Sequence, residues 1–320
     1  GRRLRPLAVI GPQARLGAMA PRGKLRSLVL IATSALALAV ATATAGAAGS
    51  AKWLVFAATP PGQHIDQLFR IRASGTGLKK LTGGPFPSIA PAFSPDGKHI
   101  AFARSGVGIV TMDLDGKAVH RLTTNGRDSF PAWSPDGKQI AFVRPTTAAW
   151  SVYVMSSSGA RQRRLTKAPP SGRPTWSSNG LMIPSDGDLV KIDPGNGHVL
   201  KYFGTTIDAV WGLNTVSLAP DDSKLTYIGA ASPEPGDKEC GDNQPCQRFA
   251  LYQEGIRPKS KARLLRRNVG PASYSPDGKQ LVFISRNHKL EFFTLANGGS
   301  RMIEIGANYG TVAAAPAWQP

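Results

Sequence analysis

The clearest signal in the chain is a ten-residue pattern of apolar and polar positions that occurs three times. It reads Phe93-Ser-Pro-Asp-Gly-Lys-His-Ile-Ala-Phe102, then Trp133-Ser-Pro-Asp-Gly-Lys-Gln-Ile-Ala-Phe142, then Tyr274-Ser-Pro-Asp-Gly-Lys-Gln-Leu-Val-Phe283. In each copy a short apolar strand ends on an aromatic residue, Pro-Asp-Gly reverses the chain, and a strand of Lys-x-Ile-Ala-Phe type runs back. A third strand is predicted at Gly108 to Asp113, Val152 to Met155 and Leu290 to Leu295, each followed by a turn that contains glycine. A fourth carries basic residues and ends in Leu-Thr, as in Lys79-Lys80-Leu81-Thr82, His120-Arg121-Leu122-Thr123 and Arg163-Arg164-Leu165-Thr166. Lys and Arg on that strand suit an outer edge that must resist pairing with another sheet.

Two weaker copies, Trp176-Ser-Ser-Asn-Gly and Leu218-Ala-Pro-Asp-Asp-Ser-Lys-Leu-Thr-Tyr227, lie between the strong ones, and a sixth aromatic, Trp318, stands near the end of the sequence. Successive marks are 40, 43, 42, 56 and 44 residues apart. A period of about 40–45 residues is one four-stranded propeller blade. The segment at Trp318 supplies only the first strand of a blade. Trp53 to Ala58, Gln67 to Ile71 and Leu78 to Thr82 read as the other three. The expected fold is therefore all-β: a six-bladed β-propeller over residues 51 to 320, in which the last strand and the first three close one blade.

The three Ser-Pro-Asp-Gly-Lys copies and this spacing resemble the WD-like repeat of TolB-type β-propellers, which also form the non-catalytic domain of prolyl oligopeptidase-type enzymes. The resemblance covers residues 51 to 320, the propeller part alone. The fifty residues before it read as a signal, in contrast to the α/β domain that precedes the propeller of TolB. The resemblance implies a ring with a central channel and leaves the function open.

Composition agrees with the all-β reading, since 35 glycines and 26 prolines among 320 residues suit many tight turns. Net charge is +19, and the first fifty residues hold seven basic groups and no acids, so the remainder is still +12. Such a body favours anionic polymers or anionic surfaces. Residues 1 to 50 read as an export signal. Arg22 to Arg26 form a basic region, Leu28 to Val40 is apolar, and Ala43, Ala45 and Ala47 offer cleavage sites. Met19 as initiator would make residues 1 to 18 an upstream extension. An uncleaved anchor is the alternative, because Leu28 to Ala48 could just span about 30 Å. The only cysteines, Cys240 and Cys246, bracket the polar loop CGDNQPC within the 56-residue interval, and in an exported protein they are expected to be bonded to each other.

Candidate chemistry is sparse. Asp96, Asp136 and Asp277 recur at one turn position, where Asp bonds the local backbone and Gly takes positive φ. Asp113-Leu-Asp115-Gly116 begins like a calcium loop but lacks the later Glu and falls at a hairpin turn. His99 aligns with Gln139 and Gln280, and His120 with Arg163, which makes both surface strand positions; His64, His198 and His288 are scattered. No Gly-x-Ser-x-Gly elbow, His-Glu-x-x-His or P-loop is present. No catalytic residue, metal ligand or cofactor is assigned. Binding is expected at the loops that join each outer strand to the next inner strand at one mouth of the channel, because these loops differ where the strands repeat. Phe86, Arg127, Asp128, Trp211 and Tyr309 are the candidates there. A second candidate surface is the basic outer edge, carried by Arg163, Arg164, Arg266 and Arg267. These features point to a monomeric binding scaffold in the cell envelope, periplasmic or extracellular. Its partner would be a protein or an anionic wall polymer and not nucleic acid, and it would meet the membrane only through an uncleaved signal. The alternative is a lyase- or lactonase-type propeller enzyme with its site at the channel mouth.

Overall fold

The computed structural model describes residues 52–147, 149–166, 172–185, 188–203, 216–231, 248–257, 260–285, 289–305 and 315–320. The signal segment, both cysteines, His288, Trp211 and Tyr309 lie outside these residues. The described chain forms six four-stranded antiparallel sheets. Blade 1 takes β1 (Trp53–Ala58), β2 (Gln67–Arg72) and β3 (Lys79–Lys80). Blade 2 is β4 (Ser88–Phe93), β5 (His99–Arg104), β6 (Gly108–Asp113) and β7 (His120–Arg121). Blade 3 is β8 (Ser129–Trp133), β9 (Gln139–Pro145), β10 (Trp150–Ser156) and β11 (Arg163–Arg164). Blade 4 is β12 (Thr175–Ser177), β13 (Gly180–Ser185), β14 (Asp188–Ile192) and β15 (Val199–Tyr202). Blade 5 is β16 (Ser217–Leu218), β17 (Lys224–Ala231), β18 (Arg248–Gly255) and β19 (Arg263–Arg267). Blade 6 is β20 (Ser273–Tyr274), β21 (Gln280–Ile284), β22 (Lys289–Thr294) and β23 (Ser300–Glu304), and the last strand is β24 (Ala317–Trp318).

β24 completes blade 1. It pairs with β1 through Leu54↔Trp318 and Val55↔Ala317, giving the order β24-β1-β2-β3. Gln319 extends the joint, since its amide donates to the Trp53 carbonyl at 2.9 Å and its side chain donates to the Gly97 carbonyl in blade 2 at 3.2 Å. The first strands of successive blades touch in a closed cycle, β24 to β4, β8, β12, β16, β20 and back to β24. The ring therefore closes between the two ends of the described chain.

The core consists of six apolar clusters, one at each junction between neighbouring blades. The Ile-Ala-Phe pattern explains this. Successive side chains of a strand point to opposite faces of its sheet. Ile100 and Phe102 pack toward blade 1 against Val55 and Ala57, while Ala101 and Ala103 face blade 3 and receive Ile140 and Phe142. These two junctions thus set large side chains of one blade against smaller ones of its predecessor, which fills a wedge with dense packing.

The Leu-Thr ending of the outer strands also has a structural role. The hydroxyls of Thr82, Thr123 and Thr166 each accept a hydrogen bond, at 2.9 Å, from the amide of Leu68, Ile109 and Val152 on the neighbouring third strand. The leucines that precede them bed the next blade. Gly116 and Gly159, at positive φ, lie against the backbones of Leu81 and Leu122 so closely that a Cβ would sit within 2.8 and 2.7 Å of their carbonyl oxygens.

Each Ser-Pro-Asp-Gly turn is a small hydrogen-bonded unit. The Ser94, Ser134 and Ser275 hydroxyls donate to Asp96, Asp136 and Asp277 at 2.6 Å, and the amides of Lys98, Lys138 and Lys279 donate to the same carboxylates. The serine hydroxyl is the larger cause that holds these three carboxyls below the usual carboxylate range, with the lysine amide adding to it. A carboxyl whose pKa is lower in the folded state stabilises the fold above its unfolded value, about 4. That contribution is lost as pH falls through the folded value. Melting temperature is therefore expected to stay level from pH 7 to about 5 and to fall below about 4. The combined Asp96→Asn, Asp136→Asn and Asp277→Asn protein should show a shallower acid decline in the same thermal scans.

Candidate functional site

Among the described residues, one end of the ring carries the hairpins β1–β2 and β5–β6 and the loops that lead from β3 to β4 and from β7 to β8. Over blades 1 to 3 these segments form a continuous hydrogen-bonded rail. Ser88 N donates to the Asp66 carbonyl at 2.9 Å, and Ser105 N donates to the Pro87 carbonyl at 3.0 Å. The Gln67 side chain donates to the Gly84 carbonyl at 3.2 Å, and Arg104 donates to the Gly83 carbonyl. Gly106 N then donates to the Gly126 carbonyl at 2.9 Å, which links the blade 2 hairpin to the loop entering blade 3. The backbones meet here so closely that a Cβ on Gly126 would lie 2.6 Å from the Gly106 carbonyl carbon, so only glycine fits.

The rail presents Phe86, which is 44% exposed. Its ring lies against Gly106, close enough to be 3.3 Å from a Cβ placed there. Arg127 is exposed on the turn 125–128, which is held by Asp128 N to the Asn125 carbonyl and Arg127 N to Asn125 Oδ1, both at 3.0 Å.

Asp128 is brought to the same end but is turned inward. Its side chain is fully buried, and Arg144 donates to both carboxylate oxygens at 2.7 Å. Arg144 also donates to Gln162 at 2.8 Å and lies over the Tyr153 ring at 4.7 Å. The Asp128 hydrogen bond is the main cause that raises the Arg144 pKa. Asp128 therefore fastens the loop to its blade, and Arg127 is the exposed residue of the two. Sequence separation hid this pair, since Arg144 lies across β8 and β9.

Arg173 at the start of blade 4 was not singled out by the sequence. Its guanidinium stacks over Phe130 of blade 3 at 4.0 Å, and its Nε is buried although the residue as a whole is partly exposed. Burial pushes its pKa down to about 9, so it remains a cation at neutral pH. The aligned positions, three residues before Trp133 and Trp176, were the signal available for this contact.

The basic outer edge divides into two kinds of residue. Arg163 donates across a blade junction to the Pro194 carbonyl. Arg266 donates to the buried carboxylate of Glu291 in blade 6, at 2.6 Å and 3.1 Å, and to Ser300 at 3.1 Å. Both act between blades. Arg164 is exposed and donates to the Thr166 carbonyl at 2.6 Å, and Arg267 lies on β19 opposite Ala250. Among the described residues, no three His, Cys, Asp or Glu groups converge so as to hold a metal ion, and no helix is long and apolar enough to cross a membrane. His64 is exposed in a loop at the rail end, whereas His99, His120 and His198 stand at the opposite end.

Comparison with known proteins relates the ring to others by fold. The TolB beta propeller domain family matches residues 41–186, the stretch that contains the first two full copies of the repeat. The ring has the fold of TolB-like β-propellers. TolB from Acinetobacter baumannii superimposes with a TM-score of 0.65 at 19% identity, over 85% of this chain and 67% of that one. A structure of a nidogen/laminin complex gives 0.59 at 13% identity, covering 84% and 98%. An oligogalacturonate lyase in complex with manganese gives 0.50 at 13% identity, covering 79% and 73%. No curated protein matches the sequence. At these identities the TolB-type likeness is one of fold.

Proposed function

We propose that this TolB-type propeller is an exported, non-catalytic module that captures an envelope partner on the rail end of the ring. The observation that carries the reading is Phe86, a large exposed aromatic held on loops whose backbone hydrogen bonds and close glycine contacts leave them little freedom. A preordered aromatic loses little entropy on binding and suits an interface anchor. The fold is shared with TolB, with the nidogen/laminin complex and with a manganese-bound lyase, so it does not by itself choose between capture and catalysis. The rigid aromatic platform favours capture. Trp211 and Tyr309 are proposed as further anchors of the same surface, and the Cys240–Cys246 bond as the signature of an oxidising compartment. The proposed partner is a protein, with an anionic wall polymer on the basic edge as the competing target.

Immobilised protein exposed to envelope fractions separates the two surfaces. Phe86→Ala is expected to weaken capture by about 2 kcal/mol or more with little change in melting temperature. Lys80→Glu with Arg164→Glu should leave capture nearly unchanged. Steep loss of capture in that charge-reversed protein, together with strong salt dependence, would transfer the function to the basic edge.

A further inference from the structure

We infer that the cleft between blades 2 and 3, at the end of the ring opposite the rail, is a binding site for a saccharide of one or two rings. A cavity of about 520 Å³ opens there, within the size range of small-molecule sites. Its walls include His99, Thr111 and His120 from blade 2, Trp133 and Asp136 from blade 3, and Asp96 on the turn between β4 and β5. Related clefts between blades 5 and 6 and between blades 3 and 4 hold about 410 and 390 Å³.

The cavity coincides with a break in a repeated device. At three other junctions a long basic side chain on the outer strand crosses to a turn carbonyl of the next blade. Lys79 donates to Asp115 at 3.1 Å, Arg163 to Pro194, and Arg301 to Ala73 at 2.7 Å. These residues stand opposite Arg70, Val154 and Phe292 in their sheets, and the corresponding residue opposite Thr111 is His120. An imidazole is too short to span the junction, and it lines the opening instead.

The lining selects the class of ligand. Asp96 and Asp136 each use Oδ1 in their own turn; the second oxygen of Asp96, and that of Asp136, which Lys138 approaches only to 3.9 Å, are acceptors for ligand hydroxyls. The imidazoles and the Thr111 hydroxyl can donate or accept, and the Trp133 indole, partly buried against the blade 2–3 cluster, adds aromatic surface to the lining, of the kind on which a sugar ring packs. Two carboxylates disfavour phosphate and carboxylate ligands. An uncharged, hydroxyl-rich ring satisfies all of these groups.

The test is saturation-transfer NMR and titration of the whole protein with glucose, N-acetylglucosamine, cellobiose and chitobiose, with spermidine as a cationic control. At least one saccharide is expected to bind. His120→Arg, which restores the crossing side chain found in blade 3, should weaken that binding at least about tenfold without lowering the melting temperature, and Asp136→Asn should weaken it as well. Phe86→Ala should not affect it. Absence of binding by all four saccharides, binding of spermidine alone, or unchanged binding by the His120→Arg protein would each overturn the assignment.

Discussion

Deleting residues 314 to 320 is expected to remove most of the stability of the protein. The deletion strips β24 from blade 1 and exposes the edge of β1 at Leu54 and Val55, both fully buried in the intact ring. It also removes Trp318, whose ring meets Phe292 of blade 6 edge-on at 5.6 Å and packs on the cluster that joins blades 6 and 1. Trp318 is partly buried, so its loss costs about 3 kcal/mol, the lower end for a large aromatic, which is still a large share of a typical total of about 5–15 kcal/mol. The opened ring would also present an unpaired, apolar strand edge, so association is expected along with unfolding. Urea denaturation and light scattering read both effects. A truncated protein with the midpoint of the intact one would contradict closure through β24.

Asp128→Ala is expected to destabilise the ring by about 3 kcal/mol, because it leaves the Arg144 guanidinium without its bidentate partner. Arg144 retains Gln162 and some solvent access, which keeps the cost near the lower end for a broken buried pair. The double variant Asp128→Ala with Arg144→Met should recover most of the loss, since it removes the stranded charge and keeps an apolar side chain beside Tyr153. Denaturation of the four proteins of this cycle measures the coupling directly. A negligible effect of Asp128→Ala on stability, accompanied by loss of partner capture, would return Asp128 to the binding surface.

The contrast between Asp128 and Phe86 shows where sequence reasoning works and where it stops. The repeat displays the architecture because each blade repeats the same local chemistry. The aromatic mark, the Ser-Pro-Asp-Gly turn and the Ile-Ala-Phe strand all lie within ten residues, and β1, β6 and β22 fall within a residue or so of the boundaries their alternation predicts. Closure was legible as well, since Trp318 and the strands from Trp53 onward make one divided repeat. The contacts between blades were not. Arg163 and Arg266 look like free edge charges until the next blade supplies Pro194 and Glu291, which lie 31 and 25 residues further along the chain. Composition records their charge but not their partners. Thr82, Thr123 and Thr166 are an intermediate case: their recurrence was visible, whereas their role depended on the neighbouring strand they cap.

Amide hydrogen exchange of the protein with and without its captured partner reads directly whether the rail end of this TolB-like propeller is the capture surface. Protection on binding is expected to concentrate in residues 83–89 and 124–130, with the Ser-Pro-Asp-Gly turns and the outer strands unchanged. Protection confined to β7, β11 and β19, with the rail exchanging as in the free protein, would contradict it.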